Sequence, residues 1–272
     1  MNKVLCCTVI YDAIRHYEKE IIKQFTNMRT DFCEFLIIYD CEDKDIECNK
    51  NIIQIKNNLH YDPIGLREYC IEYAYKNDFT YFMFCDADDI QLPKKLKVLY
   101  KMIEKEDVDF VSHNMTIVNR DKSVLKEKMF PVEKNINIDL DFISDKNAVG
   151  FGNSIFKTRT LKKILPLNKN VICDWWIGLN ILINDGRGIL LKDILSYYVQ
   201  YDDNIANLIS FDSNSLYNEY QIKKKMYEEI KKKYPSYSEY VSLLEKKLIR
   251  EYNKKKHKTI CNNDYWWNLL NS

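Results

Sequence analysis

The sequence predicts an α/β fold: a mainly parallel sheet covered on both faces, with a helical region appended at the C-terminus. Three observations carry this. Over the first 111 residues, short β-branched or aromatic runs alternate with longer stretches of helical spacing, the pattern of right-handed βαβ units. The short runs are apolar almost throughout, as strands buried on both faces are. From Asp212 onward only helical spacing remains.

The elements follow in order. "KVLCCTVIY" (3–11), "CEFLIIYD" (33–40), "NIIQIK" (51–56), "FTYFMFCD" (79–86) and "VDFVSH" (108–113) read as strands. Between them "YEKEIIKQF" (17–25), "LREYCIEYAYKN" (66–77) and "PKKLKVLYKMIEKE" (93–106) place apolar residues near i, i+3 and i+4, the spacing of amphipathic helices. From 112 to 211 the pattern loosens into a second half of the same domain, with "GFGNSIFKTRTLKKILP", "NVICDWWIGLNILIND" and "GILLKDILSYYVQYDDNIAN" as its recognisable pieces. In 212–272, Leu216, Tyr220, Tyr227, Ile230 and Tyr234 share one helix face. Tyr237, Val241, Leu244, Leu248 and Tyr252 share another, with a break at Pro235 and Ser236.

A chain of 272 residues with 46% hydrophobic content can bury one large core. Its 41 Lys and Arg nearly cancel its 40 Asp and Glu, so the balance gives no ground for a nucleic-acid partner. The distribution is uneven. Ile222–Lys258 carries a local charge of +8, which leaves the remainder at −7. Three readings of that basic region stay open: contact with an anionic membrane, dimerisation through the C-terminal helices and the aromatic end "DYWWNLL", or a solvated face. The nine cysteines lack zinc-site or redox spacing, and several lie inside apolar runs. They read as free thiols of a reducing compartment. No secretory leader or membrane span is read. The expectation is a cytoplasmic protein, with membrane contact confined to the inner face.

The stretch "YFMFCDADDIQLP" (81–93) carries the chemistry. Asp86, Asp88 and Asp89 stand within four residues at the end of an apolar strand, where their charges repel unless a cation sits among them. Carboxylates with few other donors suit magnesium or manganese, which take their remaining ligands from water and substrate phosphates. Capping of the helix near Pro93 is the alternative, and it accounts for one Asp rather than three. Asp12, Asp40 and Asp86 all fall at the carboxyl ends of strands, where a parallel sheet binds ligands.

"FCDADDIQLPKKL" resembles the Asp-x-Asp element of the inverting family 2 glycosyltransferases, followed as it is there by a Pro and a helix. "VIYDAIRHYEKEI", "IIYDCEDKD", "PIGLREYCIEYA" and "CDWWIGLNI" are similar to further pieces of that family, in the same order, over residues 3 to about 207. The resemblance implies the A-type glycosyltransferase fold with its Rossmann-like sheet. Residues 1–111 would form the nucleotide-sugar-binding half, 112–211 the acceptor-binding half and 212–272 a basic helical region.

The resemblance also implies roles. Asp40 would accept the imide hydrogen of the base, probing for uracil. Arg67 would face the diphosphate, where a guanidinium fork suits phosphate oxygens. Asp86 would meet the ribose, and Asp88 would bind Mn or Mg. Asp174 would be the base that deprotonates the acceptor hydroxyl, with Trp175 or Trp176 stacking on an acceptor sugar. The implied activity is inverting transfer of a sugar from a nucleoside diphosphate donor, UDP above all, to a saccharide or lipid-linked glycan acceptor. Three positions depart from the family pattern: Cys173, where Glu or His is frequent; Val199, in place of Arg; and Tyr201, in place of His. Gln200 and Asn204 remain. A nucleotidyltransferase is one alternative, although "VIYDAIRHYEK" lacks the Gly such a phosphate loop needs. A catalytically silent nucleotide-sugar-binding module is the other.

Overall fold

A computed structural model of the chain describes residues 3–41, 52–58, 60–200, 213–256 and 265–270. The strands are β1 (Val4–Tyr11), β2 (Cys33–Asp40), β3 (Ile53–Lys56), β4 (Tyr81–Phe84), β5 (Ile90–Gln91), β6 (Phe110–Val118), β7 (Val124–Lys126), β8 (Ile136–Ile138), β9 (Ser154–Lys157) and β10 (Gly188–Val199). They form one sheet in the order β3-β2-β1-β4-β9-β6-β10-β5, with β7 beside β6 and β8 beside β10. The pairs β3–β2, β2–β1, β1–β4 and β6–β10 are parallel; β9 enters antiparallel between β4 and β6. The sheet is therefore mainly parallel, as the alternating pattern predicts. β6 runs across the expected boundary between residues 111 and 112, so strands of both halves share one sheet.

The helices are α1 (Glu18–Met28), α2 (Pro63–Lys76), α3 (Lys95–Glu106), α4 (Leu140–Ile143), α5 (Thr158–Ile164), α6 (Cys173–Ile183), α7 (Ser213–Lys233) and α8 (Ser238–Lys255). Strand side chains alternate between the two faces, and each face has its own core. Val4, Cys6, Ile37 and Met83 pack with Ile21, Phe25, Leu96 and Leu99 of α1 and α3. Leu5, Cys7, Phe82 and Phe156 pack on the opposite face with residues of α2, α5 and α6 and with Leu216, Tyr227, Val241 and Leu248 of the C-terminal helices. Each buried large apolar side chain contributes about 1.5–3 kcal/mol, so the appended helices are part of the main core. The described cysteines are free, and no helix among the described residues is long and apolar enough to cross a membrane.

Some of the basic residues of α7 and α8 are paired within the molecule. Lys231 pairs with Glu245 at 2.5 Å and Lys247 with Asp145 at 2.5 Å. Lys233 donates to Asn180 Oδ1 at 2.7 Å, and Lys223 is buried against Glu219 at 2.9 Å. Lys224, Lys225, Lys232, Lys246, Arg250, Lys254 and Lys256 are exposed, as are the paired Lys233 and Lys247.

Candidate active site

The C-terminal ends of β1, β2 and β4 open onto a pocket of about 950 Å³. Parallel strands leave such a crevice because their connections depart to opposite faces there.

Arg67 enters from α2, whose start is fixed by Asp62: its Oδ1 accepts from Gly65 N at 2.7 Å, and Pro63 opens the first turn. The guanidinium carbon lies 5.4 Å from the ring centre of Phe84 and 5.6 Å from that of Phe151, so two aromatic rings fix its position. Nη1 donates to Pro63 O at 3.2 Å, and Nη2 lies 4.0 Å from Asp86 Oδ1. The buried Nε has no hydrogen-bond partner among the described residues.

Asp86 follows β4 and rests over Gly152. A Cβ at position 152 would come within 2.3 Å of Asp86 Oδ2, so a glycine is what allows the carboxylate its place. Gly152 is itself held from below, since the fully buried Lys95 donates to its carbonyl and to Gln91 Oε1, both at 2.6 Å. Asn153 ties the same loop to β6, donating to His113 O at 2.9 Å and accepting from Gly150 N at 2.7 Å.

The three clustered aspartates divide their work. Asp86, Asp88 and Asp89 all line the pocket. Burial, with the charge of Asp86 added, pushes the Asp88 carboxyl up to about 6. Asp89 is buried, and its Oδ1 accepts from Val199 N at 3.0 Å, which fastens the end of β10 to the loop. Neither Asp88 nor Asp89 caps α3, whose N-cap is Lys94, without a side-chain cap. With Asp89 engaged by Val199 N, the carboxylates of Asp86 and Asp88 fit a divalent cation that takes its other ligands from water and a diphosphate. Among the described residues, no group of three His, Cys, Asp or Glu side chains is arranged to hold an ion unaided.

Asp174 lies in the first turn of α6, and its Oδ1 accepts from Trp175 N at 2.6 Å. Burial raises its carboxyl to about 6, against the opposing pull of that N–H and of the Arg67 charge. Asp40 ends β2 and lines the pocket, with Asn57 Nδ2 donating to its Oδ1 at 2.8 Å.

Two expectations are corrected. Asp12 opens a 3-10 turn (Asp12–Tyr17) that takes the chain away from β1; it is exposed and does not line the pocket, whereas Tyr11 and Ala13 on either side do. Trp175 and Trp176 are 0% and 2% exposed, and Trp175 Nε1 donates to Ile143 O at 2.7 Å. Neither ring presents a face to an acceptor. The run "WWIGLNILI", apolar but for Asn180, is the signal, because a helix apolar nearly all round is a buried one. The tryptophans that do line the pocket are Trp266 and Trp267, from the end of the chain. Of the remaining positions, Val199 is buried and Gln200 N donates to Val118 O at 2.8 Å, while Tyr201 and Asn204 lie outside the described residues.

The family model for glycosyl transferase family 2 matches residues 8–176. An uncharacterised glycosyltransferase of Methanocaldococcus jannaschii is 25% identical over 286 residues, covering 99% of this chain and 86% of that protein. The O-antigen biosynthesis glycosyltransferase WbnJ of Escherichia coli is 24% identical over 173 residues, covering 59% of this chain and 65% of WbnJ. Among solved structures, residues 1–349 of S. aureus TarS in complex with UDP superpose with a TM-score of 0.59 at 16% identity, covering 84% of this chain and 65% of that one. The complex of the same segment with UDP-GlcNAc gives 0.58 at 15% identity, covering 82% and 66%. The chain thus spans just under two thirds of WbnJ and of the TarS segment, and the likeness to TarS is one of fold.

Proposed function

The chain belongs to glycosyl transferase family 2, and we propose that it is an inverting enzyme moving a sugar from a nucleoside diphosphate donor to a saccharide or lipid-linked glycan. One observation carries this reading: the Arg67 cation, with its buried Nε lacking a partner among the described residues, shares a single cavity with the Asp174 carboxyl. An anion-binding group and a base in one pocket are what a displacement of diphosphate by a hydroxyl requires.

In the step itself, Asp174 takes the proton of the acceptor hydroxyl as the oxygen attacks the anomeric carbon. The bond from that carbon to the diphosphate breaks, and the nucleoside diphosphate leaves with the electron pair. Arg67 binds the diphosphate, Asp86 the ribose and Asp40 the base. Asp88, with Asp86 beside it, would hold Mn or Mg, which when bound offsets charge on the departing diphosphate. Uridine is the favoured base because TarS, of the same fold, binds UDP and UDP-GlcNAc. A glycan acceptor agrees with the O-antigen role named for WbnJ. The basic side chains left exposed on α7 and α8 suit contact with an anionic membrane at its inner face, where a lipid-linked acceptor would lie. Cosedimentation with anionic but not neutral vesicles, weakened by salt, tests that contact.

The enzymatic test is a screen of nucleotide sugars with manganese, reading release of nucleoside diphosphate and, by NMR, the anomeric configuration of the product. Asp174→Asn is expected to keep UDP binding and lose transfer by about a hundredfold or more, the scale of general base catalysis. Near-normal transfer by that variant removes Asp174 from the mechanism.

A further inference from the structure

Besides the carboxylates and Arg67, the pocket is lined by Met115, Asn147, Tyr198, Trp266 and Trp267. The two tryptophans come from a C-terminal strip, residues 265–270, anchored on both sides of Trp267. On one side Asn147 N donates to Trp266 O at 2.8 Å, and the Trp266 ring meets Phe130 and Tyr198 edge-on, with centroids 5.7 and 6.0 Å away. Gly150 makes room for it, since a Cβ there would lie 2.9 Å from the Trp266 ring. On the other side Glu219, only 1% exposed, accepts from Leu269 N at 2.8 Å and from Leu270 N at 3.0 Å. Lys223 balances its buried charge.

Trp267 itself has φ of 59°, a left-handed conformation that bulky side chains avoid. It is only partly buried, and it lines the cavity. A strained backbone over-determined by anchors on either side, presenting a large flat side chain to a cavity, is the arrangement found where strain serves a site.

We propose that this strip is the acceptor subsite, with Trp267 as the platform on which the apolar C–H face of the acceptor's sugar ring lies. The ring's negative π-face attracts such C–H groups, and its rigidity limits the entropy lost on binding. Trp266 fixes the platform, and Glu219 is a positioning residue that clamps the strip to α7. The assignment to the acceptor rests on the transfer reading above; the saccharide platform does not.

The test uses the full chain labelled with 5-fluorotryptophan, whose four tryptophan signals are assigned with Trp266→Phe and Trp267→Phe. With UDP and manganese present, methyl glucopyranoside, methyl galactopyranoside and methyl N-acetylglucosaminide are titrated in turn. At least one is expected to shift the Trp267 signal saturably while the Trp175 and Trp176 signals stay. Trp267→Ala should then weaken that saccharide at least tenfold with UDP affinity within twofold, and Trp267→Phe should restore most of it. A Trp267 signal unmoved by every glycoside overturns the platform. A shift produced by UDP-GlcNAc or UDP-glucose alone gives the ring to the donor sugar and overturns the acceptor assignment. If the wild type turns over no donor while a glycoside still moves Trp267, the transfer reading fails and the platform stands.

Discussion

Arg67 and Asp86 face each other at 4.0 Å, Nη2 to Oδ1, an ion pair too long for a hydrogen bond. The guanidinium is held by the rings of Phe84 and Phe151 and by one bond from Nη1 to Pro63 O rather than by its counter-charge, which leaves Nη2 available to a ligand. Arg67→Lys keeps the charge but loses the planar fork and the stacking. UDP affinity is expected to fall about tenfold or more, about 1.4 kcal/mol. Calorimetry with UDP and with uridine checks this: the loss should appear for UDP and be absent for uridine. Equal losses for both would take Arg67 off the diphosphate.

Gly152 sets the place of Asp86. In Gly152→Ala the new methyl would sit 2.3 Å from Asp86 Oδ2 and 3.5 Å from Asp89 Oδ2, so the Asp86 side chain must swing away. Because Asp86 is partly exposed, the swing costs the fold little. The expected result is a melting temperature within a few degrees of wild type together with UDP binding weakened by roughly tenfold. Unchanged UDP binding would mean that Asp86 has no part in holding the nucleotide.

Much of this was legible in the sequence, and the exceptions share a cause. Buried parallel strands announce themselves as apolar runs, so β1, β2, β4 and β6 and the carboxylates at their ends could be read locally. β9 inserts antiparallel between β4 and β6, a choice of neighbour that no local pattern encodes. Asp89 and Lys95 are buried ionisable groups whose partners, Val199 N and Gly152 O, lie 110 and 57 residues away. The Trp266–Trp267 strip reaches the pocket through one backbone bridge to Asn147 and the clamp at Glu219, contacts that leave no periodicity. Asp12 is the converse case: it follows its strand as Asp86 does, but the chain turns there and exposes it.

Burial raises the Asp174 carboxyl to about 6, and a base must be ionised to work. The transfer kcat/KM is therefore expected to rise about tenfold per pH unit below 6 and to level off above it. The same shift bears on stability with the opposite sense. A carboxyl whose folded pKa lies above its unfolded value stabilises the fold most below the unfolded pKa, and that contribution is lost as pH rises through about 6. In Asp174→Asn the amide oxygen can keep the bond from Trp175 N without carrying charge. That variant should accordingly melt no lower than wild type at pH 7 and lose any advantage below about pH 4. A pH profile flat between 5 and 7, with saturating donor, would exclude Asp174 as the base.

Asp88 offers the sharpest test of a metal. Its carboxyl is pushed up to about 6 by burial and by Asp86, so at pH 6 about half the molecules carry a proton there in the free protein. A cation can use that oxygen only in its ionised form. Binding of manganese with UDP at pH 6 is thus expected to release up to about half a proton per site, falling toward none at pH 8. Calorimetry in two buffers of different ionisation enthalpy reads this directly. Asp88→Ala should abolish both the proton release and the stimulation of UDP binding by manganese. UDP binding without manganese should remain, because Arg67 and Asp40 are untouched. Manganese-stimulated UDP binding that persists in Asp88→Ala would move the cation to other ligands.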